Sequence, residues 1–285
     1  MHLGFSSMNN LHQCGPAELA GMLEARNYES LWFGEHAHLP ATDAPVHPSG
    51  SPIPPVYKAM ADPFVTLAVA AATTRRLKLG LGVALVLERE PFNLAKEVAT
   101  LDQVSGGRVL LGVGVGWYRA EFENAARMPW NRRFAGLADC VGALRALWTQ
   151  DEAGYQGQWY RFDRVWSFPK PMQRPHPPVI AGVGGELGMG HAARWADGWM
   201  PIDRGRGAIP GMIERFRQLV REAGRDPAQV PISVVVLGEP DPDTMLRYRD
   251  LGVVRVVFGA GLPLERPGDF EAVLDRCAPL VTKLA

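Results

Sequence analysis

Apolar residues along the chain gather into short continuous runs, each followed by a loop and then by a stretch with helical spacing. Eight runs stand out, at 3–7, 30–34, 77–85, 108–116, 179–183, 198–201, 232–237 and 253–258. Most are continuous rather than alternating, the pattern of strands buried on both faces of a parallel sheet. The helices between them carry recognisable ends. Asp62-Pro63 pairs an N-cap acceptor with a proline at the first helical position, ahead of the apolar run 64–72. Leu94, Val98 and Leu101 share one helix face, closed by Gly106-Gly107. Phe134, Leu137, Val141 and Leu144 predict a long helix ending near Trp148, and Ile209, Ile213, Phe216 and Val220 another, stopped by Gly224. Asn27 stands where a left-handed cap would end the first helix. Eight βα units favour a (β/α)8 TIM barrel, spanning 1–285 as one domain, over a doubly wound sheet.

Two long insertion loops break the rhythm. Residues 37–61 carry Pro40, Pro45, Pro48, Pro52, Pro54 and Pro55 and follow a strand, which on a barrel places them on the active face as a lid. Residues 149–178 hold Tyr155, Trp159, Tyr160, Phe162 and Trp166 and predict a small hairpin. The two loops together are expected to set the substrate.

Composition narrows the classes. Thirty Lys+Arg balance thirty Asp+Glu, so a partner held mainly by charge, nucleic acid or an anionic membrane, is not expected. Cys14, Cys140 and Cys277 are widely spaced without a CxxC pair, which argues against a disulfide framework or a cysteine-rich zinc site and for a reducing cytoplasm. The first thirteen residues lack a basic start and an apolar signal run, and no stretch approaches 18 apolar residues.

Glycine marks the candidate chemistry. Gly112-Val-Gly114-Val-Gly116-Trp117 ends the fourth run, and Gly182-Val-Gly184-Gly185-Glu-Leu-Gly188 follows the fifth. Neither fits a dinucleotide-binding GxGxxG, because Trp117 and Leu187 stand at the third glycine, although Asp203 falls about where a ribose-binding acid would. Gly184-Gly185 just before a helix presents bare amides and a positive dipole end, which suits a phosphate; a simple tight turn is the plainer alternative. Glu35-His36 ends the second run, where a histidine can donate or accept a proton, against the plainer reading of a loop histidine bonded to backbone. His36, His38 and Glu35 lack a further ligand at useful spacing, so no metal is expected.

Several motifs then carry a resemblance over nearly the whole chain. They are Ser30-Leu-Trp-Phe-Gly-Glu-His36, Ala61-Asp-Pro-Phe64, Leu79-Gly-Leu-Gly-Val-Ala-Leu85 and Pro91-Phe-Asn-Leu-Ala-Lys-Glu97. Thr100-Leu-Asp-Gln-Val-Ser-Gly-Gly-Arg108, Leu111-Gly-Val-Gly-Val-Gly-Trp117 and Ala196-Asp-Gly-Trp199 complete the set. The chain resembles the bacterial luciferase-like superfamily of flavin- and deazaflavin-dependent oxidoreductases, and within it the coenzyme F420 branch. The resemblance implies a TIM barrel with the cofactor ring across the strand ends. It implies His36 as the active-site histidine and Glu35 as the acid before it, though deazaflavin relatives often carry Asp there. It implies a cis peptide at Gly82-Val83 behind the ring, Gly114, Gly116 and Trp117 flanking the cofactor, and Gly184 and Gly185 holding its phosphate. Some deazaflavin relatives have an acid in place of Trp117, which leaves Glu121 as a weak substitute. Arg89 or Arg119 could meet the anionic cofactor tail, against surface solvation as the plainer role.

The reaction so implied is hydride transfer between coenzyme F420 and a small organic substrate, with His36 moving the proton. Trp32, Trp117 and Trp199, expected near the mouth, suit a flat ring, against burial as the plainer explanation. The alternatives are an FMNH2-dependent monooxygenase, with FMN as cofactor, and a non-catalytic flavin-binding protein. A homodimer is expected from the resemblance.

Overall fold

In the computed structural model, which describes residues 1–41, 47, 50–205 and 207–284, the apolar runs become strands and the amphipathic stretches become helices. In chain order they are β1 (His2–Ser7), α1 (Pro16–Ala25), β2 (Ser30–Phe33), α2 (Pro63–Thr73), β3 (Lys78–Ala84), α3 (Pro91–Ser105), β4 (Val109–Val113), α4 (Arg119–Ala125) and α5 (Arg133–Thr149). There follow β5 (Glu152–Gln156), β6 (Arg161–Trp166), β7 (Val179–Ala181), α6 (Gly185–Trp195), β8 (Gly198–Trp199), β9 (Ile202–Asp203), α7 (Ile209–Glu222), β10 (Ser233–Val236), α8 (Pro242–Asp250), β11 (Arg255–Phe258) and α9 (Pro267–Leu284). Proline at the first helical position, where no intrahelical N–H is needed, opens α1, α2, α3, α8 and α9. Asp62 caps α2 by accepting from the Phe64 and Val65 amides at 2.9 and 3.0 Å, worth about 1 kcal/mol. Asn27 takes a left-handed backbone after α1, as its position predicts.

Among the described residues the sheet has nine strands in the order β8-β7-β4-β3-β2-β1-β11-β10-β9, and every pair is parallel. Its two edges, β8 and β9, belong to one stretch, 198–203, and Trp199 also bridges Ile232 just before β10. The sheet therefore curls until both edges meet in the same six residues. Helices cover its outer face, and β5 and β6 form a separate antiparallel hairpin, as the aromatic segment predicts.

Trp32 fills the inside of the curl. It is wholly buried with Leu110, Ile180, Met200 and Val257, and its indole N–H donates to Ser30 Oγ at 2.8 Å. Only glycine leaves room for it, since a Cβ on Gly80 would lie 2.2 Å from its ring. Trp199 points outward and stacks on Phe216 of α7 at 4.4 Å. Both tryptophans are core, which corrects the expectation that they line the mouth.

The segment 149–178 is tied to the beginnings of strands. Gln173 Nε2 donates to Val109 O at the start of β4 and to buried Asp102, which also accepts the Gln173 amide at 2.8 Å. Asp139 on α5 accepts from the Trp159 and Tyr160 amides and the Tyr155 hydroxyl. The insertion also reaches α3, where Phe162 packs on Phe92 with ring centroids 5.1 Å apart and Lys96 donates to Phe168 O. Arg255, Glu29 and Lys78 form an ion cluster at the same end, with Arg255 reaching Glu29 at 2.6 and 2.7 Å. No helix among the described residues is long and apolar enough to cross a membrane.

Candidate active site at the strand ends

The loops after β2, β3, β4 and β7 bring together most of the residues singled out in the sequence. His36 follows β2 and is nearly buried between two partners. Its Nδ1 lies 2.7 Å from Glu121 Oε2 on α4, and the Trp117 indole N–H donates to its Nε2 at 3.1 Å. With Nε2 accepting, the proton of a neutral ring sits on Nδ1 and is donated to Glu121. The bond to the carboxylate is charge-assisted, whereas the indole bond joins two neutral groups and is worth about 1 kcal/mol net. Nε2 is therefore the nitrogen that can change partners while Glu121 holds the ring.

Aromatic rings enclose the same face. Tyr57, on the short 3-10 turn Pro55–Ala59, stands 5.4 Å from His36 and 5.9 Å from Trp117 between ring centroids, and Tyr118 stacks on Trp117. His47 Nε2 and the Tyr57 hydroxyl are 3.1 Å apart. Burial pushes the Tyr57 hydroxyl up; burial, then the charges of Arg204 and His36, push His47 down. The proline-rich segment thus reaches the site through Tyr57 and His47, while Pro45 and Pro48 lie outside the described residues.

Glu35 is buried but turned to other work. Its Oε2 accepts the Leu85 amide at 2.7 Å and its Oε1 the Arg89 Nε at 2.5 Å, which ties the end of β2 to the end of β3. Arg89 continues to Asp62 and Glu97; burial would lower it, but Glu35 first and then Asp62 hold it above the ordinary arginine value. Arg89 is therefore committed within the protein, a correction to its candidacy for the cofactor tail. Arg119 pairs with Glu123 on the surface.

The glycines form two distinct surfaces. The Gly82–Val83 peptide is cis, as the resemblance implies. The Val83 side chain sits between the ends of β4 and β7, where a Cβ on Gly114 or Gly182 would lie 2.5 or 2.3 Å from its methyls. Gly184 and Gly185 open α6 and have no heavy atom within 4 Å of where a Cβ would be, with Gly185 at φ +70°. Open space before the unpaired amides of an 11-residue helix is what a phosphate needs. Gly116 lies at a left-handed turn beside Glu88. The residues present thus fit a flat cofactor carrying a phosphate.

Sequence reasoning missed Glu88, His47 and Tyr57, which no spacing singles out. Burial first, then the charges of Glu121 and Glu35, push Glu88 up to about 8. One ligand atom each of His38, Glu88 and Glu121 lies within 4.8 Å of the others, a spacing that would admit a small cation. Glu121 is already bonded to His36, however, and His38 Nε2 to Asn124 at 3.0 Å. We assign no ion there.

A histidine held by a carboxylate and an indole at the strand ends of a curled parallel sheet, with α6 opening on Gly184 and Gly185, defines an α/β protein with its polar cluster at the strand ends. The chain belongs to the luciferase-like monooxygenase family, whose model matches residues 16–249. An uncharacterised protein of Mycobacterium tuberculosis is 36% identical over 282 residues, 98% of each chain. The FMNH2-dependent dimethylsulfone monooxygenase of Pseudomonas putida is 32% identical over 151 residues, 51% of this chain and 40% of that one. Among solved structures, an F420-dependent secondary alcohol dehydrogenase in complex with an F420-acetone adduct superposes with a TM-score of 0.79 at 18% identity, covering 100% of this chain and 99% of that one. Members of the family are oxidoreductases and monooxygenases, which supports an enzyme here.

Proposed function

We propose that the protein is an oxidoreductase that moves hydride between coenzyme F420 and an organic substrate, on a closed (β/α)8 barrel. The observation that carries this reading is His36, fixed by Glu121 through Nδ1 and exchangeable at Nε2, on the same face as the open amides of Gly184 and Gly185. When bound, the deazaflavin supplies the hydride at its C5 position. The chain supplies the rest. The first turn of α6 would hold the phosphate, Gly82 and Val83 would line the cofactor site, and Gly114 and Gly116 keep the end of β4 clear of side chains. Trp117 releases Nε2 as substrate arrives, so that His36 accepts or returns the substrate proton while Glu121 steadies its charge. Tyr57 and His47 wall the substrate side and exclude water.

The dimethylsulfone monooxygenase among the relatives favours a second reading, an FMNH2-dependent monooxygenase on the same residues. Titrating the protein with F420 and with FMN, each followed by its own fluorescence, decides between them. Saturable binding of F420 and none of FMN is expected, and the reverse overturns the choice. The proposed assembly is a homodimer. The exposed Val65 and Val69 on α2 and Val104 on α3 supply an apolar face for it, and light scattering reads the mass.

A further inference from the structure

Behind His36, two carboxyl groups face each other without a donor between them. Glu88 closes the 3-10 turn Val86–Glu88 after β3, and Glu121 is wholly buried on α4. One oxygen of each lies within 4.8 Å of one on the other, and each residue separately keeps one oxygen that is shielded from water and has no hydrogen-bond partner, Oε2 of Glu88 and Oε1 of Glu121. Two ionised carboxylates in that position would repel in a weakly screened site and leave both oxygens unsatisfied. A cation there would have two free carboxylate oxygens, but His38 Nε2 is already bonded to Asn124. A proton on one carboxyl removes that repulsion and, once rotation of the Glu88 side chain closes the gap, satisfies both oxygens.

We propose that Glu88 is a positioning residue that acts as a neutral acid, donating its proton to the free oxygen of Glu121 so that the other oxygen stays on His36 Nδ1. No proton leaves Glu88 in this role. It keeps the charge behind His36 at one carboxylate and fixes that carboxylate's rotation. Its surroundings agree. The groups facing Glu88 are Glu121 from α4, Glu35 from the end of β2, and His38 from the loop beyond it. Arg89, next in the chain, is turned away to Glu35, Asp62 and Glu97. From α5 comes the Cys140 thiol, which donates to Val86 O. Burial and the two neighbouring carboxylates accordingly push Glu88 up to about 8.

The proposal rests on His36 as the proton-handling group, and its test is made on the cofactor-free protein so that the two can fail separately. Infrared spectra across a pH series read the carboxyl groups directly. Wild type is expected to show a protonated-carboxyl band at neutral pH that disappears as pH rises through about 8, and Glu88→Gln is expected to lack it. Nitrogen-15 spectra of the His36 ring read the tautomer. The Nδ1–H form is expected to persist in Glu88→Gln, whose amide can donate in place of the acid, and to give way to mixed tautomers in Glu88→Leu. Absence of the band in wild type overturns the proposal. So does an unchanged ring spectrum in Glu88→Leu, or stoichiometric binding of Mn²⁺ that Glu88→Gln abolishes. A failed F420 titration leaves these spectra untouched and counts only against the cofactor.

Discussion

His36 Nδ1 lies 2.7 Å from Glu121 Oε2, joining the loop after β2 to α4 across 85 positions of sequence. That bond decides which ring nitrogen is committed to the protein and which is left for chemistry. It also turns a loop histidine and a helix acid into one unit, so the two are expected to fail together when either is removed.

His36→Ala is expected to lower turnover by about 10²–10⁴-fold, the usual contribution of a positioned acid–base group. Cofactor affinity should stay within error, because the amides proposed to hold the phosphate lie on another strand end. Glu121→Gln keeps a hydrogen-bond acceptor but removes the charge, so its loss should be smaller and fall on kcat. Stopped-flow absorbance of the bound cofactor at saturation measures both. Full activity in His36→Ala would remove His36 from the catalytic step.

Much of the architecture was legible because it rests on local rules. Asp62 starts its helix and Gly106 and Asn27 end theirs as their residue types demand, and the eight apolar runs all became strands. The motif around Asp102 and Arg108, among the most specific for the resemblance, proved to be scaffold. Arg108 ties β4 to the carbonyls of Ala71, Thr74 and Leu77, and Asp102 pins Gln173. The site was legible only in part. His36, Trp117 and Gly184 sit where strand-end patterns put them, but Glu35 turned out to be an anchor for Arg89. Glu88 and Tyr57 owe their places to pairings between distant loops, and a single sequence carries no period or spacing for such contacts.

Opposite pH limbs are expected from two glutamates. Burial would raise Glu29, but the hydrogen bonds and charge of Arg255 outweigh it and hold the carboxyl at about 2. Its stabilisation is complete above the ordinary value near 4.5 and is lost as pH falls toward 2. Glu88 runs the other way. Held near 8 against an ordinary 4.5, it binds a proton in the folded state that the unfolded chain has released, so stability declines as pH rises across that window. Thermal melts across pH should show the acid limb flattened in Glu29→Gln and the alkaline limb flattened in Glu88→Gln. Glu29→Gln should also cost about 3–5 kcal/mol near neutrality, because it leaves Arg255 buried without its charge partner.

Gly80→Ala tests the packing of Trp32. The added Cβ would lie 2.2 Å from the indole, and the ring has no free direction inside the curl. Overpacking of this kind costs about 1–3 kcal/mol or more. A lower denaturation midpoint with an unchanged denaturant slope is the expected result, and a midpoint equal to wild type would mean that the interior can yield.

Gly184→Asp separates the fold from the cofactor, since the two should respond with opposite signs. Gly184 is the N-cap of α6, with an extended backbone that any residue adopts and open space around it. An aspartate there can accept from the free amides of the first turn and complement the helix dipole. Relative to glycine that gain is a few tenths of a kcal/mol, up to about 1 with the charge included. The same carboxylate would occupy the amides proposed to hold the cofactor phosphate and would repel its charge. The apo protein should therefore melt slightly higher, while cofactor affinity falls by at least about tenfold, equivalent to 1.4 kcal/mol. A higher melting temperature with unchanged affinity would place the phosphate elsewhere, and a lower melting temperature would show that the first turn of α6 does not accept the cap.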